Sequence, residues 1–414
     1  MAILNKYSFG TGDRFGKEGE AQLAAIIQLE KDEVLVTPVW NKSNREHETV
    51  KSKPQEVLEE AKKATKSLNF SRDYCIDADH INLETVAPYL EYSNFFTIDV
   101  AKFINKKASS EEITEFTSFF QQYLSAFKIE GIEAEIAISE AQFQKMIDTF
   151  LFAMKKASEV YFYIKSNKND KFYTEVSIDE VENPQTPTEL FFVLAALAFY
   201  QVPVNTIAPK FTGNFYKGVD YEGNLDQFSK EFEADLCVLK FVKTEFGLPK
   251  NLKLSVHSGS DKFSIYPVIN KLIKKHESGL HLKTAGTTWL EEAIGLAESE
   301  GKAFDFINRL YAEALDRYDE LTENYTEVLD IDKAKLPDKN VFKNGEAFAN
   351  ALRHDQKNQA YNPHFRQLMH CAYKIAGEKD EFYTLLDSCQ NKIEENVTYN
   401  LYERHLKPLF GDLN

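Results

Sequence analysis

A chain of 414 residues can form one large domain or two to three ordinary ones, and 43% apolar with 28% charged residues excludes a disordered or fibrous protein. A net charge of −16 argues against nucleic-acid and membrane-surface binding, both of which call for a basic footprint. The four cysteines (Cys75, Cys237, Cys371, Cys389) lack a Cys-x-x-Cys spacing and read as reduced thiols; with no apolar run of signal-peptide or membrane-span length, the expectation is a soluble cytoplasmic protein.

In chain order, YSFGTGD (7–13) leans to strand and is followed by the amphipathic KEGEAQLAAIIQLEK. EVLVTPVW (33–40) is a buried-strand run that gives way to a polar loop and the helix PQEVLEEAKKATKSL, with Pro54 in its first turn. DYCIDADH (73–80) precedes the helical pattern LETVAPYLEY, and FFTIDV (95–100) is a fourth strand. Residues 101–169 are mostly helical. The alternation then resumes with strands at 172–182, 204–211, 252–259 and 279–286, each followed by a helix. After about 303 the chain is helix-leaning and charged.

Eight β-then-α units in series predict an α/β fold, a (β/α)8 TIM-type barrel over 1–302. Residues 101–169 are then a helical insertion after strand 4, and 303–414 a C-terminal helical extension packed on the barrel. No strand is followed by G-x-G-x-x-G, which lowers the alternative of an open dinucleotide-binding sheet.

Barrel enzymes gather their chemistry at the carboxyl ends of the strands. Those ends carry Asp13 and Arg14; Trp40 and Asn41; Asp77, Asp79 and His80; Asp99; Asp179 and Glu180; Lys210; His257, Asp261 and Lys262; His281 and Lys283. Convergence of His80, His257 and His281 would make a divalent-metal site with open positions, the cation acting as a Lewis acid. Asp79 and Glu180 are candidates for acid–base work. Asp77, Asp99 and Asp261 are expected to orient the ligands. Lys262, Lys283, Arg14 and Lys210 would hold an anionic substrate inside an acidic protein. Each residue also has a plainer structural reading: helix cap, core histidine or solvated loop charge. His354, His364, His370 and His405 are expected to be structural or on the surface, with Arg353 and Arg366 noted as possible covers of the mouth.

YSFGTGDRFG, DADH at 77–80, EVSIDE at 175–180, APKFTGNFYKGVDY at 208–221, HSGSDKFSIYP at 257–267 and HLKTAGTTWLE at 281–291 together resemble the tagaturonate epimerase family. The likeness runs from first strand to eighth; 101–169 and the C-terminal extension carry no matching motif. The resemblance implies a bacterial enzyme of hexuronate catabolism that interconverts D-tagaturonate and D-fructuronate with a divalent metal cation (Zn, Mn, Ni, Co or Fe). It places the proton acceptor at Asp79, the proton donor at Glu180 and the metal ligands at His80, His257 and His281. The two carboxylates could exchange parts, and Asp77 or Asp179 could replace either.

The inverted carbon of such a substrate lies beyond the carbon alpha to the ketone, so simple enolisation cannot epimerise it. Metal-assisted retro-aldol cleavage is favoured over transient oxidation, since no nicotinamide fingerprint is visible. A metal-dependent sugar aldolase or ketose isomerase, and a non-catalytic binding module, remain as alternatives. The expected partner is a small anionic sugar acid, not nucleic acid or membrane; the sequence leaves the oligomeric state open.

Overall fold

The computed structural model describes residues 4–179, 181–284 and 286–413. Eight strands, β1 (Tyr7–Gly12), β2 (Val36–Ser43), β3 (Cys75–Ile81), β4 (Phe95–Asp99), β5 (Tyr173–Ile178), β6 (Thr206–Pro209), β7 (Lys253–His257) and β8 (Leu280–Lys283), form a closed parallel barrel. Each pairs with the next, and β8 pairs back onto β1, with Ser8 opposite His281. This is the (β/α)8 barrel expected from the alternation.

The surrounding helices are α1 (Gly19–Glu30), α2 (Asn44–Val50), α3 (Pro54–Ser67), α4 (Ser110–Phe120), α5 (Glu140–Met146), α6 (Phe152–Asn167), α7 (Pro187–Phe199), α8 (Leu225–Glu245), α9 (Tyr266–Lys275) and α10 (Thr287–Glu298). Two connections differ from the sequence pattern. LETVAPYLEY holds only a 3-10 turn at Ala87–Tyr89, because Pro88 lacks the N–H a longer helix needs and disfavours helical backbone before it. The polar loop after β2 contains α2. Ser43 and Glu46 cap its start reciprocally, and this capping box fixes Arg45 and Glu46 at the barrel mouth.

Side-chain alternation sorts the strands into an outer apolar face and an inner column. Phe9, Val36, Phe96, Ile98, Val176, Leu254 and Leu282 join the core beneath the helices. Inside, Leu4, Val39, Cys75, Phe95 and Tyr173 plug the lower end. Above that plug the interior turns polar, with Ser8, Asp77, Thr97, Glu175, Thr206, His281 and Lys283 all buried. The insertion packs outside the barrel, where Phe116, Phe120 and Phe143 meet Phe192 of α7. None of its described residues lines the mouth.

Beyond α10 the chain forms α11 (Gly301–Asp316), α12 (Tyr318–Thr322), α13 (Gly345–Leu352), α14 (Pro363–Cys371) and further helices to residue 410. This region shares one apolar core with the barrel. It buries α10 on all sides, Glu291 and Glu292 included. At Gly295 a Cβ would lie 2.6 Å from Ile393 Cγ1 and 2.9 Å from its Cα, so only glycine permits that approach. No helix among the described residues is long and apolar enough to cross a membrane.

Candidate active site

The carboxyl ends of the strands open into a cavity of about 310 Å³ lined by Arg14, Arg45, Glu46, Asp79, His80, Asp99, Asp179, Lys217, His257, Lys283, Tyr325 and His370, among others. A second lobe of about 450 Å³ adjoins it through Arg45, Asp179, Lys217, His257 and Tyr325. The barrel supplies the floor, α2 and the β6–α8 connection one wall, and the C-terminal region the roof.

Lys283 stands at the centre of the floor. Its Nζ lies 2.7 Å from Asp77 Oδ2, 2.8 Å from Asp79 Oδ1, 3.1 Å from Glu175 Oε1 and 2.6 Å from Thr97 Oγ1, with 4% of the side chain exposed. One ammonium serves three carboxylates, so it stays protonated: although burial opposes its charge, Asp77, Asp79 and Glu175 raise its pKa well above the usual value. Burial pushes Asp77 up to about 7 against the pull of Lys283. Asp79 goes the other way. Burial opposes its ionisation too, but Lys283 and His80 hold the carboxyl well below the usual range. Asp79 is therefore a fixed carboxylate on the cavity wall.

His80 reaches the mouth by an irregularity. Next to the inward-facing Asp79 it would point out of the barrel, but the β3–β4 register shifts between Ala78 and Ile81 and His80 takes φ +53°. A left-handed non-glycine residue at a bulge is an uncommon conformation that recurs at functional sites. His80 Nδ1 donates to Asp79 Oδ1 at 2.6 Å, and its ring centroid lies 5.2 Å from that of His257. His257 bonds Glu175 Oε1 through Nε2 (2.8 Å) and Asp179 Oδ2 through Nδ1 (3.2 Å). Ser177 donates to the other Asp179 oxygen.

Among the described residues, His80, Asp179 and His257 each offer a ligand atom within 4.8 Å of the others. Burial lowers the proton affinity of both imidazoles, but Asp79 and Asp179 around His80, and Asp179 and Glu175 around His257, outweigh it and raise them to about 10 and about 9. Carboxylates that hold an extra proton on these rings equally favour a divalent cation in its place. Two imidazoles and a carboxylate, with Asp79 behind His80 fixing its tautomer, fit a first-row divalent metal.

His281 is not part of that group. Two residues before Lys283 on the same strand, it faces inward one layer deeper, wholly buried, with Nδ1 2.9 Å from Ser8 Oγ and its ring against Phe95. Burial is the main cause that lowers its pKa to about 3. The expected three imidazoles are thus corrected to two imidazoles and Asp179. Lys262 is corrected as well: fully buried, its Nζ donates to the carbonyl oxygens of Tyr216 (2.9 Å) and Val219 (2.7 Å), and it lines neither lobe. Asp261 supports no site ligand. It receives Arg366 (2.7 Å), His354 (3.1 Å) and His405 (3.1 Å), all buried, and so bolts the β7–α9 turn to the C-terminal region.

Arg14 does line the cavity, with its guanidinium engaged by Glu46 and His370 and stacked 3.8 Å over Tyr373. Lys210 lines the second lobe and donates to the carbonyl oxygens of Val181 and Glu182. Asp99 is on the wall and accepts from the Ala101 amide (2.8 Å). Glu180 lies outside the described residues.

Sequence reasoning passed over Glu175, Arg45, Lys217 and Tyr325, and gave His370, which lines the cavity, a structural or surface role. The first had a signal: Glu175, Ser177 and Asp179 alternate along one strand, so all three face inward. The others reach the mouth from α2, the β6–α8 connection and the C-terminal region, whose placement over the barrel no local pattern reveals.

A closed eight-stranded barrel with imidazoles, carboxylates and a buried ammonium at its strand ends belongs to the class of (β/α)8 proteins that keep a polar, metal-compatible site where this fold places its catalysis. A model of the tagaturonate epimerase family matches residues 1–409, and the chain belongs to that family. It is 28% identical over 420 residues to the tagaturonate/fructuronate epimerase of Thermotoga maritima, covering 98% of this chain and 81% of that protein. Two crystal structures of the fructuronate-tagaturonate epimerase of Cohnella laeviribosi share the fold at 23% identity. The glycerol complex gives a TM-score of 0.81 over 97% of this chain and 81% of that one, and the native form 0.79 over 99% and 82%.

Proposed function

We propose that the protein interconverts D-tagaturonate and D-fructuronate in hexuronate catabolism by breaking and re-forming the C3–C4 bond. The observation that carries this reading is the meeting, in one cavity, of the His80–Asp179–His257 group with an Asp79 carboxylate held ionised by Lys283. The two sugars differ at C4, whose hydrogen is not acidified by the C2 ketone. Inversion therefore requires that a bond to C4 be broken, and the C3–C4 bond is the one whose electrons the ketone can accept. A divalent cation bound by His80, Asp179 and His257 would supply Lewis-acid stabilisation of that charge.

Asp79 takes the proton of the C4 hydroxyl as C4 becomes an aldehyde and the C3–C4 electron pair passes into a C1–C3 enediolate. The aldehyde fragment turns about C4–C5 and presents its other face. Recombination restores C3–C4, and the C4 oxygen regains a proton on the opposite side. Because that oxygen changes sides, a second acid–base group is needed, and Glu180 is assigned that part. Lys283 keeps Asp79 ionised and fixed. Arg45 and Lys217 supply positive charge near the substrate's acid end and help keep the fragment in place while it turns.

The test is NMR of purified protein with D-tagaturonate, before and after chelation, beside elemental analysis of wild type and His257→Ala. The expected result is fructuronate formation that chelation abolishes, with metal lost from the variant. Release of two three-carbon fragments would reassign the protein as an aldolase, and no turnover with no bound metal would overturn an enzymatic reading.

A further inference from the structure

We propose that Lys262 is a positioning residue for the acid end of the substrate: it ties residues 216–219 to the 259–262 turn and thereby sets where the Lys217 ammonium meets the carboxylate. This rests on the hexuronate reading above and deepens it, since it names what fixes the cation that separates a sugar acid from a neutral ketose.

Lys262 is fully buried and lines neither lobe, so it acts at one remove. Its Nζ donates to the carbonyl oxygens of Tyr216 (2.9 Å), Val219 (2.7 Å) and Asp261 (3.3 Å). Tyr216 and Val219 flank Lys217 and Gly218 on the β6–α8 connection. The Gly218 amide donates to Ser260 Oγ (2.8 Å), and its carbonyl oxygen accepts from Arg366 Nε (2.6 Å). The Lys217 amide donates to the carbonyl oxygen of Val328 (2.8 Å). Every residue from 216 to 219 thus has a backbone group tied to the β7–α9 turn or to the C-terminal region.

What this clamp leaves to project is the Lys217 side chain. It lines both lobes, as does Gly259. A Cβ at Gly259 would lie 3.1 Å from Lys217 Nζ and 3.4 Å from its Cδ, and Gly259 has φ +67°. The lysine therefore runs across the same turn to which Lys262 ties its backbone. Because that turn leaves β7 at His257, one short segment sets the spacing between the ammonium and the His80–Asp179–His257 group. None of the three carbonyl oxygens on Lys262 carries a charge. Burial lowers its pKa to about 7, with Asp261 and Asp220 opposed by Lys217 and Arg366. An apolar side chain would fill the space without that cost; an ammonium is the group that brings three donors to one point.

The experiment compares wild type, Lys262→Met, Lys217→Met and the double variant. Steady-state kinetics with D-tagaturonate and calorimetric binding of D-tagaturonate are read on each folded, metal-loaded protein. Lys217→Met should raise KM and Kd about 10- to 100-fold, the loss expected for a hydrogen bond to a charged group. Lys262→Met should raise both about 5- to 20-fold, with kcat within about threefold. In the double variant Kd should stay within about twofold of Lys217→Met, since the brace acts through that one ammonium. Ser260→Ala removes only the acceptor of the Gly218 amide and serves where Lys262→Met does not fold; it should show the same pattern at about three- to fivefold. An unchanged Kd in the folded brace variant, a fall in kcat at constant Kd, or losses that multiply in the double variant overturn the proposal, the last being the result for a residue that only supports the fold. A wild type that binds D-tagaturonate without converting it ends the epimerase reading alone, and the cycle in Kd still decides the role of Lys262. One that does not bind it overturns both.

Discussion

Replacing Asp261 by Asn removes one charge and almost no volume, and it tests whether the C-terminal region is part of the barrel's stability. Asp261 and Arg366 are both fully buried, 2.7 Å apart. Arg366 Nε and Nη1 donate to the carbonyl oxygens of Gly218 and Leu352, which anchor the guanidinium in the interior. Stranding a buried guanidinium in this way costs about 3–5 kcal/mol. Unfolding entropy of about 2.1 cal/mol/K per residue gives roughly 0.9 kcal/mol/K for a chain of this size, so Tm should fall by about 3–6 °C. Scanning calorimetry of Asp261→Asn, Arg366→Met and the double variant measures this. The double variant should be less destabilised than the sum of the singles by about 2 kcal/mol, because removing both charges leaves no unpaired one. One transition should move as a whole. A barrel transition that stays within about 1 °C of the parent while a second one shifts would refute the reasoning.

Lys283→Met leaves three carboxylates without their ammonium; urea denaturation should show a loss of about 3–5 kcal/mol, and turnover should fall by at least ~100-fold. His281 has a folded pKa of about 3, below its unfolded value near 6.5, so the unfolded chain binds the extra proton first and stability falls as pH drops below about 6.5. Between pH 7 and 5 wild type should lose about 2 kcal/mol more than His281→Asn in denaturant titrations. Gly295→Ala should cost about 1–3 kcal/mol by pushing Ile393 off α10, read as a lower thermal midpoint with unchanged KM.

The barrel was legible because each strand is buried on both faces, giving apolar runs that end in polar residues, at a spacing helices can bridge. His281 was legible too in retrospect: two residues from Lys283, it faces the same way but one layer deeper, so both cannot sit at the rim. His80 was not, since only the bulge and its left-handed backbone turn it inward. Nor were Lys262 and Asp261, whose partners are backbone carbonyls and an arginine 105 residues away. Local pattern reports which face a side chain takes. It does not report what the rest of the chain brings to that face.

The site's order of assembly follows from how far apart its partners lie in the chain. Ser8 waits 273 residues for His281, and Arg14 waits 356 for His370. A polypeptide halted on the ribosome before Arg366 has every barrel strand but leaves Asp261 without its guanidinium and Arg14 without the ring it orients. Synthesis therefore finishes before the chamber does, and such long-range pairing makes maturation slow. A prematurely ended chain would be a sheet without a working mouth, unable to capture the sugar acid it half resembles a receptor for.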